Sequence, residues 1–462
     1  MDTIQLPEYK KIAMICQGGG ALGAYQAGVY EGLAHAGIQP NWILGISIGA
    51  INASIIAGNP PEKRVERLHE FWHTICRPPS LSASVLFNTM SMVGNVAGLE
   101  SIQDIAQNAI IQTFGSYSAM MSIMEGQQGF FNPRPMAPGY GKPSDVSFYD
   151  TTPLIATLER LIDFDRLNDP RQMRLSLGAT NVRTGNFVYF DNLHTKLTAQ
   201  HILASGSLPP GFPATEIDGE FYWDGGCVSN TPLQYLMTDD AQRADTLVFQ
   251  VDLWSARGEL PGNIFEVSER QKDIQYSSRT RSITDAVRNI HRMRQMLFDT
   301  LDRIPESVRK ADPWFQEVAA HAMGSRFNVI QMIYQNKKTE GHYKDYEFST
   351  ETMQSHWASG MDDTKNTLAD PRCLTMPADG ENFVTYDVHR KERYTAEKPD
   401  PDALSVPVYT YESSDNQGGH ATYASPAKVV AARKPAKKPV AKPAAKKAVT
   451  KKQPVKKSAT KG

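Results

Sequence analysis

The chain has 462 residues, of which 40% are hydrophobic, so it can bury a large core and has room for two or three domains. Without an apolar run of roughly 18 residues or a secretory signal pattern, we expect a cytoplasmic protein with no transmembrane segment. The four cysteines form no CxxC pair, which argues against a zinc site and a disulfide framework.

The net charge of -1 hides an asymmetry between the end of the chain and the rest. Residues 427–462 carry 12 lysines, Arg433 and no acid, whereas the rest carries 36 basic residues against 50 acidic ones. This Lys/Ala/Pro-rich tail cannot bury a core, and we predict that it is disordered and binds a polyanion such as DNA or an anionic membrane. The alternative is a solubilising tail without a dedicated partner.

Residues 10–262 alternate short apolar runs with helical stretches rich in small residues. Strands are predicted at KIAMIC, at NWILGIS, and over 173–182, 186–192 and 245–253, with helices at ALGAYQAGVYEGL and AINASIIAG between the first of them. Such alternation predicts an α/β fold with a mainly parallel, buried sheet.

Residues 78–150 interrupt this pattern, and we predict a helical insertion there. Six of the 17 methionines fall between Met90 and Met136. Flexible thioether side chains suit an adaptable apolar surface, such as a lid over a lipid site, although they also suit ordinary core packing.

A smaller α+β accessory domain is predicted over 263–395, with a strand at 327–335 and a helix at 350–369, followed by a disordered linker and tail over 396–462. Within it, 266–302 has the spacing of an amphipathic helix. The predicted apolar face consists of Ile283, Val287, Ile290, Met293, Leu297 and Leu301. Arg288, Arg292 and Arg294 are expected on the opposite side, facing water or anionic lipid.

The stretch GGGALG, residues 18–23, follows a predicted strand and opens a helix, as a dinucleotide-binding GxGxxG does. A dinucleotide site also needs an acidic residue about 20 positions further on. No Asp or Glu occurs between Glu31 and Glu62, which disfavours this interpretation.

The second strand ends in a GxSxG element, Gly45-Ile46-Ser47-Ile48-Gly49, before a helix. In this context a serine is held on a tight turn with its oxygen exposed, and the flanking glycines let strand and helix approach. Ser47 is therefore the candidate nucleophile. The successive N–H groups of Gly18, Gly19 and Gly20 are suited to stabilise an oxyanion at the start of the next helix.

A serine nucleophile needs a base that accepts its proton. None of the eleven histidines lies in a recognisable motif. The best acidic candidate is Asp224, because Gly225 and Gly226 follow it and free the backbone to present the carboxylate.

Residues 10–255 carry, in this order, GGGALG, GISIG, ASGSLPPGF, and DGG followed by NTPL. In this combination they resemble the patatin-like phospholipase family. The resemblance implies a three-layer α/β/α fold, a Ser47–Asp224 dyad without histidine, and an oxyanion hole at Gly18, Gly19 and Gly20. Gly23, Gly45, Gly49, Gly225 and Gly226 are the remaining motif glycines. The family resemblance also implies that the reaction needs no metal or cofactor.

The family pattern usually has Arg or Lys at the position of Leu22. The absence of this cation affects the expected substrate class more than the expected ester hydrolysis. Residues 263–395 resemble an accessory domain of a bacterial subgroup of the family.

The expected function is a lipid acyl hydrolase of the phospholipase or carboxylesterase type that works through an acyl-enzyme. The alternative is a catalytically weak scaffold that tethers lipid or polyester granules to DNA or another polyanion through the tail. Either protein is expected in the cytoplasm, at the periphery of a membrane or granule.

Overall fold

The structure is a computed structural model. It describes residues 4–76, 115–135, 140–238, 244–322, 325–335, 337, 340–378, 381–389 and 392–394. For 238, 278–285, 287, 320, 321 and 392–394 it describes the backbone alone. Residues 78–114 and 136–139 of the predicted insertion lie outside the described residues, as do the predicted linker and tail from 396 onward.

Ten strands form the central sheet, and two more form a separate small ladder. The strands are β1 (Lys11–Cys16), β2 (Trp42–Gly45), β3 (Asn132–Pro133), β4 (Tyr149–Asp150), β5 (Arg174–Asn181), β6 (Phe187–Asp191), β7 (Thr215–Ile217), β8 (Glu220–Asp224), β9 (Thr246–Asp252), β10 (Phe327–Ile333), β11 (Phe383–Asp387) and β12 (Glu392–Tyr394). The order in the central sheet is β12-β11-β10-β9-β1-β2-β5-β8-β7, with β6 also paired to β5.

The middle of this sheet is parallel, as predicted. The pairs from β11 through β10, β9, β1 and β2 to β5 are all parallel. The pairs β11–β12, β5–β6, β5–β8 and β7–β8 are antiparallel. Because parallel strands end at the same edge of a sheet, the loops that follow β1 and β2 lie side by side there.

Helices cover both faces of the sheet. They are α1 (Ala24–His35), α2 (Ile48–Ala57), α3 (Arg64–Ile75), α4 (Thr152–Leu161), α5 (Phe164–Leu167), α6 (Ala199–Gly206), α7 (Leu233–Thr238), α8 (Ile264–Asp302), α9 (Glu306–Ala311), α10 (Pro313–Ala322) and α11 (Thr350–Leu368). A further helical segment spans 115–125.

Alternate side chains of β1 separate the two halves of the core. Met14 and Cys16 pack into the cluster that contains α1, α2 and α11, whereas Ala13 and Ile15 pack into the cluster that contains α7. Successive side chains of a strand point to opposite faces of the sheet, so both sets are buried when helices cover both faces. The fold is therefore the expected three-layer α/β/α arrangement.

Strands from the predicted accessory region continue the central sheet. β10 pairs with β9 over seven residues, and α11 packs along α1. Gly28 and Gly360 allow close contact between the two helices, because a Cβ at either one would lie about 2 Å from a main-chain oxygen of the other helix. The described residues up to 394 belong to one compact unit, in which this region adds to the layers around the central sheet.

The helix α8 is confirmed and Leu301 is buried as predicted, but the predicted side is wrong for Arg288, Ile290 and Met293. Arg288 is buried and donates a long hydrogen bond, 3.5 Å, to Thr385 in β11, whereas Ile290 and Met293 are 46% and 69% exposed. The ring of His291, on the inner side, stacks on Phe383 and meets Phe327 edge-on. Contacts with the ends of β10 and β11 thus decide which side of α8 is buried.

Candidate active site

Ser47 lies on a sharp turn between β2 and α2. Its backbone has φ 57° and ψ -127°, a conformation that is strained for a residue with a side chain. The two flanking glycines are required by close contacts: a Cβ on Gly45 would lie 2.3 Å from the oxygen of Gly49, and one on Gly49 would lie 2.2 Å from the oxygen of Cys16. The turn therefore has the geometry expected of a nucleophile elbow.

Asp224 ends β8 and is 2% exposed. Its carboxylate accepts a 2.7 Å hydrogen bond from the N–H of Gly226. Burial raises the pKa of Asp224 from 3.8 to about 6, and the neighbouring Ser47 hydroxyl and the Gly226 N–H oppose this increase. The carboxylate is thus a stronger base than an exposed aspartate and is still mostly ionised at neutral pH.

Gly18, Gly19 and Gly20 form the loop between β1 and α1, and all three line the same cavity as Ser47 and Asp224. Their N–H groups donate to no acceptor among the described residues. The main-chain oxygen of Gly18 accepts hydrogen bonds from the Nδ2 of Asn230, at 2.9 Å, and from the Nε1 of Trp254, at 2.8 Å.

The other motif glycines permit close packing around the site. A Cβ on Gly23 would lie 2.6 Å from the side chain of Ile48, so this glycine lets α1 begin against α2. A Cβ on Gly225 would lie 2.7 Å from the oxygen of Gly178. Leu22 is fully buried in the core and does not line the cavity.

The cavity above Ser47 has a volume of about 320 Å³ and is mainly apolar. Its wall includes Ile51, Phe130, Phe131, Leu154, Phe212 and Phe348. Asp224 and Asp345 are the charged residues among the described ones that line it, and no described histidine does. The carboxylates of Asp224 and Asp345 are therefore the basic side chains that line the described cavity, and the pKa of Asp224 is the one that the Ser47 hydroxyl lowers.

Ser47, Asp224 and the three loop glycines line one cavity, and their catalytic roles stay predictions. Sequence reasoning assigns no role to Asn230, which holds Gly18, and gives Ser205 only a part in shaping its loop, whereas the Ser205 hydroxyl accepts a 3.1 Å hydrogen bond from the N–H of Ser47. The motif stretches ASGSLPPGF and NTPL, to which these residues belong, are the signal that points to them. Asp345, in contrast, had no sequence signal.

Two family models match the sequence. One, described as patatin-like phospholipase, matches residues 14–237, and the other, described as patatin phospholipase, matches residues 274–380. The chain belongs to the patatin-like phospholipase family. Membership assigns GGGALG to the patatin motif instead of a dinucleotide site, and it indicates a lipid-hydrolysing enzyme.

Solved structures of low similarity were also found. VipD from Legionella pneumophila is 16% identical, with 76% of this chain and 67% of that chain covered and a TM-score of 0.28. ExoU, in complex with SpcU from the type III secretion system of Pseudomonas aeruginosa, is 17% identical, with 69% and 60% covered and a TM-score of 0.21. At these scores the likeness adds nothing to the family match. No curated protein matches the sequence significantly.

Two further features of the described residues bear on the site. No group of three or more His, Cys, Asp or Glu side chains among them has an arrangement that suits a metal ion. None of the helices in the described ranges combines the length and the apolar character that crossing a membrane requires.

Proposed function

We propose that this protein is a lipid acyl hydrolase in which Ser47 is the nucleophile and Asp224 the general base. The observation that carries the proposal is that Ser47, on its strained turn, and the buried Asp224 line the same apolar cavity, where the Ser47 hydroxyl lowers the pKa of the Asp224 carboxyl. A raised pKa makes this carboxylate a better proton acceptor near neutral pH.

In the proposed reaction, the Ser47 Oγ attacks the acyl carbon of an ester while its proton passes to Asp224. The carbonyl oxygen becomes an oxyanion, which the unengaged N–H groups of Gly18, Gly19 and Gly20 stabilise. The intermediate collapses, the ester bond breaks, and the alcohol or lysolipid leaves with the proton from Asp224. Water then attacks the acyl-enzyme with Asp224 again as base, which releases the fatty acid and restores Ser47.

The aromatic and aliphatic wall of the cavity is suited to the acyl chain of the substrate. Phe130, Phe131 and Phe212 form a cluster with ring centroids 5.2 to 5.9 Å apart. A pocket with such an apolar lining and a few convergent polar groups at one end is typical of sites for amphiphilic ligands. We therefore place the acyl chain against these rings and the ester group between Ser47 and the glycine loop.

The setting of the reaction is part of the proposal. We infer that the enzyme acts in the cytoplasm at the surface of a membrane or lipid granule, and that residues 427–462 bind an anionic partner there.

The test is hydrolysis of p-nitrophenyl esters of increasing acyl length and of neutral lipids and phospholipids, followed as released p-nitrophenol or fatty acid. We expect turnover by the wild type and a loss of at least 100-fold in Ser47→Ala and in Asp224→Asn. Ser359→Ala on α11 and the exposed Asp165→Asn serve as matched controls that keep activity. A wild type as inert as Ser47→Ala on every ester would favour the tethering scaffold instead.

A further inference from the structure

The glycine loop is supported from behind by a loop of the C-terminal region, residues 340–348, which we call the C-terminal brace. The N–H of Ala21 donates a 2.9 Å hydrogen bond to the main-chain oxygen of Asp345. Gly20 has φ +57°, and a Cβ there would lie 2.0 Å from this same oxygen. The backbone of the glycine loop is therefore in direct contact with the backbone of the brace.

Two ion pairs fix the brace to α8: one has its cation on α8, and the other has its cation on the brace. The Nζ of Lys272, on α8, donates to both carboxylate oxygens of Asp345, at 2.7 and 2.9 Å. The Nζ of Lys344, on the brace, donates to Asp273 of α8 at 2.7 Å and is almost fully buried. Lys272 also donates to the oxygen of His342 at 3.0 Å. Asp345 is thus held through its side chain while its main chain contacts Ala21.

A second contact reaches Ala21 from α11. The Nδ1 of His356 lies 3.4 Å from the oxygen of Ala21, and its Nε2 lies 2.9 Å from the carboxylate of Glu340, at the start of the brace. Both main-chain polar groups of Ala21 are therefore engaged by the C-terminal region. This residue directly follows the three glycines whose N–H groups line the cavity.

We infer that the C-terminal brace positions the oxyanion-binding glycine loop, with Lys272 and Asp345 as its positioning residues. Three successive glycines have a wide range of backbone conformations, so a loop made of them is not rigid by itself. N–H groups stabilise a developing oxyanion only if they are preorganised, because reorienting them during the reaction costs free energy. The contact with Asp345 restricts this loop just past its third glycine.

This inference rests on the proposed function for its kinetic consequence. The brace contributes Asp345, Tyr346 and Phe348 to the cavity lining, whereas Ile51, Phe130, Phe131, Leu154 and Phe212 of the apolar wall lie outside it. Loosening the loop should therefore weaken stabilisation of the transition state more than binding of the substrate. A lower kcat at a nearly constant KM distinguishes positioning from a general loss of structure.

The test variant is Lys272→Met, which removes the charge and keeps the aliphatic stem of a residue outside the cavity lining. The matched control is Lys310→Met, because Lys310 forms a 2.7 Å ion pair with Glu306 on the exposed helix α9. We expect kcat to fall at least tenfold in Lys272→Met with KM within twofold, and Lys272→Arg to restore most of it. Inhibition by an alkyl trifluoromethyl ketone, whose hemiketal oxyanion occupies the glycine loop, should weaken in parallel with kcat/KM.

A second readout does not depend on catalysis. Amide hydrogen exchange of a peptide covering residues 17–24 should be faster in Lys272→Met than in the wild type and unchanged in Lys310→Met. Unchanged exchange, or an unchanged kcat in an active enzyme, would overturn the positioning role. If the wild type hydrolyses no ester, the proposed function fails, whereas the exchange experiment still decides whether the ion pair holds the loop.

Discussion

The hydroxyl of Ser47 neighbours the carboxylate of Asp224 at the C-terminal edge of the central sheet and lowers its pKa. Ser47 follows β2 and Asp224 ends β8, and β5 lies between these two strands and pairs with both. The contact therefore depends on the register of three strands. It joins a strained turn to a buried acid, and each of these features has a measurable consequence.

Replacing Asp224 by asparagine should stabilise the protein at neutral pH. The carboxyl loses its proton near pH 3.8 in the unfolded chain and near pH 6 in the folded one. The folded state therefore binds more protons within this window, so the free energy of unfolding falls as the pH rises through it. Above pH 6 the ionised form costs at most about 3 kcal/mol, which Asp224→Asn removes.

Denaturant unfolding of wild type and Asp224→Asn at pH 7.5 and pH 4 measures this effect. The variant should be more stable than the wild type at pH 7.5, and the difference should shrink at pH 4, where the wild-type carboxyl is mostly protonated. An equal difference at both pH values would show that ionisation of Asp224 is not its cause.

The pH dependence of ester hydrolysis should report the same group. If Asp224 is the base, kcat/KM rises with pH up to about 6 and then levels off, because the ionised carboxylate accepts the proton of Ser47. A pH-rate profile between pH 4.5 and 8.5 with a p-nitrophenyl ester measures this. A profile without a transition near pH 6 would argue against Asp224 as the base.

Gly49→Ala should destabilise the fold through the turn at Ser47. A Cβ at this position would lie 2.2 Å from the oxygen of Cys16 at the end of β1, and a strand backbone has no room to move away. Thermal unfolding should show a clear decrease in Tm. The control is Gly206→Ala, where a Cβ meets nothing within 4 Å, and its Tm should remain near that of the wild type. Equal Tm values for both variants would contradict the packing argument.

Deleting residues 427–462 should remove retention on a polyanion without changing ester hydrolysis. The segment carries 12 lysines and Arg433 with no acid, so its binding should weaken steeply as salt rises through release of counterions. Elution of full-length and truncated protein from a DNA column, across a salt gradient, measures this. Retention that survives the deletion would mean that another part of the chain binds the polyanion.

The part of the site that is local in sequence was predictable, and the part that depends on tertiary contacts was less so. Gly45, Ser47 and Gly49 obey constraints set within one turn, so strand, turn and helix signals identified them together. Asp224 reaches Ser47 only through strand register; the two glycines that follow it make it the best acidic candidate, and the family resemblance adds the role of base. The buried side of α8 was predicted wrongly because contacts with β10 and β11 bury Arg288 and leave Met293 exposed.

The brace contact could not be predicted from residue types. Asp345 meets Ala21 through a main-chain oxygen, which every residue possesses, so no side-chain pattern marks the pair. The pairing of β10 with the central sheet could not be predicted from the sequence for a related reason. The sequence of a buried strand indicates that it is buried but not which strand it pairs with.

The most direct test of the Ser47–Asp224 pair is the rate at which an alkyl fluorophosphonate labels the protein, followed by intact mass and peptide mapping at pH 8. We predict a single adduct on Ser47 in the wild type and labelling at least 100-fold slower in Asp224→Asn, because the hydroxyl then has no base. Labelling of Asp224→Asn at the wild-type rate, or an adduct on a different residue, would contradict the dyad.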